Sequence, residues 1–316
     1  MRQDDWPSIA VLGAGAVGCY FGGMLARAGA PVILIGRSPH VEAITANGLY
    51  LDSKNFQQHI PVSVSTSVAA AHDAGVVLLC VKTVDTEAAA SMLAPHLAKG
   101  TILVSLQNGV DNVDRIRVVV DSDVIPAVVY VAAEMAGPGH VKHTGRGDLI
   151  IGHLPRRAPA AGTPERGLAH LADMFSRAEV PCRISEDIRV DLWTKLIMNC
   201  AYNAISALTR ARYGPIVNNP GTREVIQRTV EEVLAVARGL AIEIDGHILD
   251  AVWKLGREMM PGAMSSTAQD IGRGKRTEID ALNGYVVRRG AELGIPTPVN
   301  QALHALVKVL EEGGNL

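Results

Sequence analysis

The chain has 316 residues, of which 48% are apolar and 20% charged, with a formal net charge of -2. That length accommodates two domains, each with its own core, and the near-neutral balance gives no electrostatic reason to expect nucleic acid or an acidic membrane as partner. The four cysteines, Cys19, Cys80, Cys182 and Cys200, are scattered without a C-x-x-C pair or a histidine at ligand spacing. Reduced thiols and a cytosolic setting are therefore expected. Met1–Ser8 is short and polar, and no run of 18 apolar residues occurs; both point to a soluble, cytoplasmic protein.

Ile9-Ala10-Val11-Leu12 reads as a buried strand and runs into Gly13-Ala14-Gly15-Ala16-Val17-Gly18, followed by a helical stretch to about Ala28. Gly29-Ala30-Pro31 stops that helix, and Val32–Ile35 is a second strand. Strand, G-x-G-x-x-G, helix, strand is the context in which the glycine pattern signals a dinucleotide site. Gly13 permits the tight turn, Gly15 lets a pyrophosphate approach the backbone, and Gly18 lets helix and strand pack closely. The helix N-terminus supplies N–H groups and partial positive charge to the phosphates. Ala14, Ala16 and Val17 complete the loop.

The second strand ends in Gly36-Arg37-Ser38, with no carboxylate before Glu42. An acidic residue there would favour NAD by bonding the ribose hydroxyl, whereas a cation accommodates a 2′-phosphate. NADP(H) is the expected cofactor, with Arg37 as the selecting residue.

Gly48–Ser53 and Ile60–Ser67 are β-rich. Val76–Val81 is a strand ending at Lys82, with a helix following to about Leu97. Thr101–Leu106 is another, ending at Gln107-Asn108-Gly109 before a helical Val110–Val119. Val124–Val131 follows, and Gly139–Leu154 suggests a hairpin completing the sheet. Strands with few polar residues, alternating with helices, indicate a parallel sheet covered on both faces. Ligands bind beyond the carboxyl ends of such strands, where the glycine loop, Arg37, Lys82 and Asn108 all lie. Asn-Gly is also a strong turn dipeptide, so Asn108 has a ligand reading and a turn reading. His140 and His143 lack a third ligand nearby and read as hairpin histidines. Arg156–Pro164 is a loop, Glu165–Ala178 an amphipathic helix and Pro181–Ile184 a short strand.

From Ile188 onward the periodicity is almost entirely helical, over Asp191–Leu208, Thr222–Leu240, His247–Met259, Asp270–Leu293 and Asn300–Glu311. The expected architecture is α/β: a Rossmann-type dinucleotide-binding domain over residues 1–186 and an all-helical domain over 187–316. Asp191–Leu208 is apolar nearly all the way round, which marks a buried helix. Yet Lys195, Asn199 and Asn203 stand at i, i+4 and i+8 and share one face. Burying a charge and two amides is costly unless something bonds them, so this row is a candidate ligand-facing stripe. Further on, a serine in Met264–Asp270 reads as an N-cap. Glu278 and Asp280 are readable as solvated or as paired with Arg273 and Arg276.

Taken together the motifs resemble the ketopantoate reductases (2-dehydropantoate 2-reductases). The resemblance is carried by G-A-G-A-V-G at 13–18, V-K at 81–82, Q-N-G at 107–109, L-W-x-K-L-x-x-N-C-x-x-N across 192–203, S-S-x-x-Q-D at 265–270 and R-T-E-I-D-x-x-N-G at 276–284. It implies NADPH-dependent reduction of the ketone of 2-dehydropantoate, in a cleft between the two domains. By position Lys195 matches the catalytic lysine and Glu278 the assisting carboxylate, which also contacts the cofactor. Asn199, Asn203 and Ser266 match substrate-binding positions, Asn108 the residue near nicotinamide and substrate, and Arg37 the 2′-phosphate contact. Lys82 is assigned to the cofactor as well, and no metal is expected. Thr267, Ala268 and Ala263 depart from residues common in the family and bear on which 2-oxo acid is accepted. The alternatives are reduction of another 2-oxo acid and a non-catalytic NADPH-binding sensor. The expected partner is a small-molecule 2-oxo acid, with no nucleic acid and no membrane; a homodimer is compatible with the sequence.

Overall fold

The computed structural model describes residues 6–154 and 164–313. They fall into two compact units, one reaching Gln107 and resuming over Asp111–Ile188, the other made of Asn108–Val110 and the chain from Arg189 onward.

The first unit carries strands β1 (Ile9–Leu12), β2 (Val32–Ile35), β3 (Leu49–Ser53), β4 (Gln57–Ile60), β5 (Ser63–Ser65), β6 (Val76–Leu79), β7 (Ile102–Ser105), β8 (Asp123–Gly137), β9 (His140–Ile151) and β10 (Cys182–Ile184). They form one ten-stranded sheet in the order β4-β3-β9-β8-β7-β6-β1-β2-β5, with β10 paired to β9. From β8 to β5 every pairing is parallel. The central strands β1, β2 and β6 are apolar throughout because both faces are covered. Ile9, Val11, Val76, Leu78 and Val104 enter one core, while Ala10, Leu12, Val77, Leu79 and Leu103 enter the other, which is the period of two that a strand imposes. Helices α1 (Ala16–Arg27), α2 (Ser38–Asn47), α3 (Thr86–Leu93), α4 (Asn112–Arg117) and α5 (Pro164–Arg177) complete this unit. From β1 the chain proceeds to β2 on one side and to β6 on the other, so strand order reverses there. A ligand crevice opens at such a switch point, beyond the strand ends.

Beyond β8 the sheet is mixed. β8 and β9 form a long antiparallel hairpin with register shifts near Tyr130/Val131, Ala132/Ala133 and Met135/Gly137. One edge of β9 is shared by β3 and β10, both parallel to it. β8 therefore runs past Val131, where its apolar pattern weakens, because pairing with β9 continues. α2 has no strong sequence signal, and Ile44 is its one buried residue. Residues 156–163 of the expected loop lie outside the described residues.

The second unit contains α6 (Ile188–Thr209), α7 (Tyr213–Asn218), α8 (Pro220–Gly239), α9 (Ile248–Lys254), α10 (Ser266–Gly272), α11 (Asn283–Leu293) and α12 (Pro298–Gly313). Trp193, Ile197, Cys200, Ala201 and Ile205 of α6 lie in one core with Val230, Val233, Val252, Val286 and Val307 from α8, α9, α11 and α12. α9 passes into a π-helical turn, Leu255–Met259, and the Tyr202 hydroxyl donates to the Val252 carbonyl of α9 at 2.7 Å. A single helix over Asp270–Leu293 is not formed. α10 closes with Lys275 N–H bonded back to the Asp270 carbonyl at 2.8 Å and Gly274 at φ +60, a left-handed stop that glycine tolerates without a side-chain clash. The chain then turns through 273–282 before α11. No helix among the described residues is long and apolar enough to cross a membrane.

Candidate active site

The turn between β1 and α1 is built around missing side chains. The N–H groups of Gly13 and Ala14 both donate to the Ile35 carbonyl, at 2.9 and 3.1 Å, which ties the turn to the end of β2. Gly13 has φ +111, and a Cβ there would lie 2.7 Å from the Cys80 carbonyl carbon. At Gly18 a Cβ would meet the Gly13 oxygen at 2.1 Å. Gly15 is different: nothing lies within 4 Å of where its Cβ would be, and it opens α1 with no side-chain cap. The first-turn N–H groups of a helix have no partner inside it. An uncapped helix start beside an open glycine fits a dinucleotide pyrophosphate.

Arg37 leaves β2 in extended conformation as the N-cap residue of α2, again without a side-chain cap, and is exposed. Gly36 before it lies against Ala14, since a Cβ there would be 2.5 Å from the Ala14 Cβ. Arg37 is thereby held beside the glycine turn. Lys82 follows the Cys80-Val81 backbone that presses on Gly13 and starts a 3-10 turn, Thr83–Asp85.

Gln107 holds that turn. It is 5% exposed; its Nε2 donates to the Val81 carbonyl at 3.1 Å and to Thr86 Oγ1 at 2.8 Å, and its Oε1 accepts from Ser105 Oγ at 3.0 Å. In the sequence Gln107 stands out only as part of Q-N-G. The available signal was a glutamine ending an apolar strand, a buried amide that must find partners.

In the second unit α6 carries Lys195 and Asn199 half-buried and Asn203 buried. Ser265 fixes the neighbouring helix to it. The Ser265 hydroxyl donates to the Asn203 carbonyl at 3.1 Å and accepts the Ala268 N–H at 3.0 Å, so the N-cap of α10 is also its tether. Ser266, the sequence candidate, follows as the first residue of α10 and is exposed. Glu278 is brought together with Asn108, whose Nδ2 donates to Glu278 Oε2 at 2.7 Å. Asn108 holds that bond from a turn in which Gly109 has φ +95; the turn and the contact coexist.

Burial raises the thiols of Cys19 and Cys182 to about 12 and those of Cys80 and Cys200 higher still, so none of them is a thiolate near neutrality. His143 Nδ1 lies 3.1 Å from Ser53 Oγ, with its ring on Tyr20, and His140 lies 3.6 Å from the Asp52 carboxylate. No cluster of three His, Cys, Asp or Glu able to hold a metal occurs among the described residues.

The comparisons with known proteins cover both units. Residues 9–156 match the family model described as ketopantoate reductase PanE/ApbA, and residues 187–311 match the model of its C-terminal domain. A 2-dehydropantoate 2-reductase of Pyrococcus abyssi is 34% identical over 95% of this chain and 96% of its own length. The crystal structure of a PanE/ApbA family ketopantoate reductase from Ralstonia eutropha JMP134 superposes with a TM-score of 0.90 at 48% identity, covering 98% of this chain and 100% of that one. A D-mandelate dehydrogenase, solved with NADH and anilino(oxo)acetate, reaches the same TM-score at 25% identity, covering 98% and 100%. With both family models matched in order across nearly the whole length, the chain belongs to the ketopantoate reductase family of NADP-dependent oxidoreductases.

Proposed function

We propose that this chain reduces the ketone of 2-dehydropantoate to (R)-pantoate with NADPH, in the synthesis of pantothenate and coenzyme A. The observation that carries the reading is the 2.7 Å bond between Asn108 and Glu278, in the same unit as the Lys195, Asn199 and Asn203 row. Two positions matched separately to the family's site, far apart in sequence, are neighbours in space.

Each residue has a chemical task. Lys195 donates a proton to the ketone oxygen as negative charge develops there, and its ammonium stabilises that charge. Glu278, oriented by Asn108, aligns the substrate hydroxyl. Asn199, Asn203 and Ser266 hold the remaining polar groups with neutral donors. Arg37 binds the 2′-phosphate, Lys82 and the Gly13–Gly18 turn the rest of the dinucleotide. When bound, NADPH supplies the hydride. The protein works in the cytoplasm, and a homodimer is its proposed assembly.

Loss of NADPH absorbance with purified protein and 2-dehydropantoate tests the reading, run beside NADH and other 2-oxo acids. Efficient NADPH-preferring turnover is expected, and Lys195→Ala should lower kcat by at least ~10²-fold, the scale of a positioned acid–base group. A Lys195→Ala enzyme as fast as the wild type would sink the mechanism. A second reading, reduction of a different 2-oxo acid, is favoured by the likeness to the D-mandelate dehydrogenase. Activity on an aryl 2-oxo acid alone would select it. Tight NADPH binding without turnover of any acid would instead select a sensor.

A further inference from the structure

Glu278 sits in a segment without regular structure of its own. It is the N-cap residue of the short 3-10 turn Ile279–Ala281, yet its side chain makes no capping bond. Asn108 bonds the carboxylate itself at 2.7 Å, and the backbone that carries it is anchored from a helix. The residues on either side of it are tied to one helix. On the near side, the Thr277 N–H donates to Glu311 Oε1 at 2.6 Å, and Thr277 Oγ1 accepts the Ile279 N–H at 3.2 Å. On the far side, Asp280 binds His304 Nε2 at 2.7 Å and Lys308 Nζ at 3.0 Å. Lys308 closes the chain with Glu311 Oε2 at 2.8 Å. His304, Lys308 and Glu311 stand at i, i+4 and i+7, so they form one face of α12.

We propose that α12 positions the Glu278 carboxylate, with Glu311 as the positioning residue acting through the Thr277 N–H. The inference rests on the reading of Glu278 as a site residue. Exposure decides which member of the chain matters most. The Asp280 and Lys308 side chains are 49% and 31% exposed, where an ion pair contributes little. The Glu311 side chain is 11% exposed and meets a backbone donor of a residue that is 4% exposed. Removing it strands a buried N–H, a costlier loss than an open ion pair. Although burial opposes ionisation of Glu311, bonds from Lys308 and Thr277 outweigh it and hold the carboxyl below its ordinary value. The acceptor is ionised at working pH.

A double-mutant cycle tests this. Glu311→Ala should lower kcat/KM for the 2-oxo acid about 10-fold through misplacement of one group. In a Glu278→Ala background the same change should cost less than about 2-fold, because coupled residues do not add. Glu311→Gln keeps the acceptor and should recover most of the activity; Glu311→Asp keeps the charge, withdraws the oxygen by one methylene and should not. These two conservative variants carry the test even where Glu311→Ala fails to fold. Wild-type turnover in Glu311→Ala, full additivity with Glu278→Ala, or recovery by Asp but not Gln would each overturn the positioning role while leaving Glu278 in place. Wild-type turnover in Glu278→Ala would overturn the underlying reading and this inference with it.

Discussion

Two glycines three residues apart should respond to the same substitution in opposite ways. At Gly18 an added Cβ would stand 2.1 Å from the Gly13 carbonyl oxygen, a backbone atom that cannot swing aside. Gly18→Ala should destabilise the protein by about 1–3 kcal/mol, the usual range for overpacking, seen as a lower denaturation midpoint. At Gly15 the space is open, and the backbone at φ -88 suits any residue. Gly15→Ala should leave stability within about 0.5 kcal/mol yet weaken NADPH at least ~10-fold, since a methyl would stand where the phosphate must approach. Fluorescence titration with NADPH measures the second effect, and unchanged affinity in Gly15→Ala would refute the cradle. Arg37→Ala should weaken NADPH much more than NADH, because only the former presents a phosphate to the guanidinium; an unaltered ratio of the two KM values would reject the assignment. The glycine turn was legible from sequence since its geometry is local. Glu311 was not: beside Glu312 near the end of a helix it reads as one more solvated charge, and its partner Thr277 is 34 residues away.

Among the elements, α6 was legible because its evidence lies inside its own span: an apolar cylinder interrupted by Lys195, Asn199 and Asn203 at four-residue steps. The segment Asp270–Leu293 misled because apolar periodicity persists on both sides of Gly272 and Gly274, while the left-handed closure at Gly274 breaks the helix between them. What that break presents, the bond of Glu278 to Asn108, spans 170 residues, so no local pattern encodes it and only family resemblance brought the two residues into one site. The clamp on this segment has a pH signature. Burial opposes ionisation of Asp280, but bonds from His304 and Lys308 outweigh it and hold its carboxyl below the ordinary 3.8; Glu311 is likewise held below 4.5. A depressed folded value means that the unfolded chain takes up protons first. The clamp's stability is thus complete above the unfolded values and lost as pH falls through the lower folded ones. Lys308→Met removes the bond to the buried Glu311 as well as the open one to Asp280. It should lower Tm at pH 7, and the gap from wild type should narrow as pH falls below the ordinary carboxylate values through the depressed folded ones. A gap that stays constant over that range in calorimetry would remove the ion pairs from the explanation.

At the scale of the molecule, the chain buries separate cores. Those of the first unit gather residues such as Phe21, Leu25, Leu78 and Phe175 on one sheet face and Leu79, Leu93 and Ile116 on the other. That of the second gathers Ile197, Tyr202, Val233 and Val307. Cooperative unfolding follows a shared core, and chains with several domains commonly depart from a single two-state transition. Calorimetry of the protein alone should therefore give a measured enthalpy larger than the van't Hoff value. NADPH sharpens the test, because most of its proposed contacts, the glycine turn, Arg37 and Lys82, belong to the first unit, and only Asn108 and Glu278 to the second. A ligand at 100 times its Kd stabilises the species that binds it by about 2.7 kcal/mol. For a unit of this size that corresponds to a rise in Tm of roughly 5–10 °C. One transition should move by that amount while the other moves much less. The transition that moves less should be the one that Glu311→Ala lowers, since Glu311 belongs to the helical unit. Equal displacement of both transitions by NADPH would mean that cofactor binding draws on the helical unit as strongly as on the glycine turn, and the division of labour between the units would have to be given up.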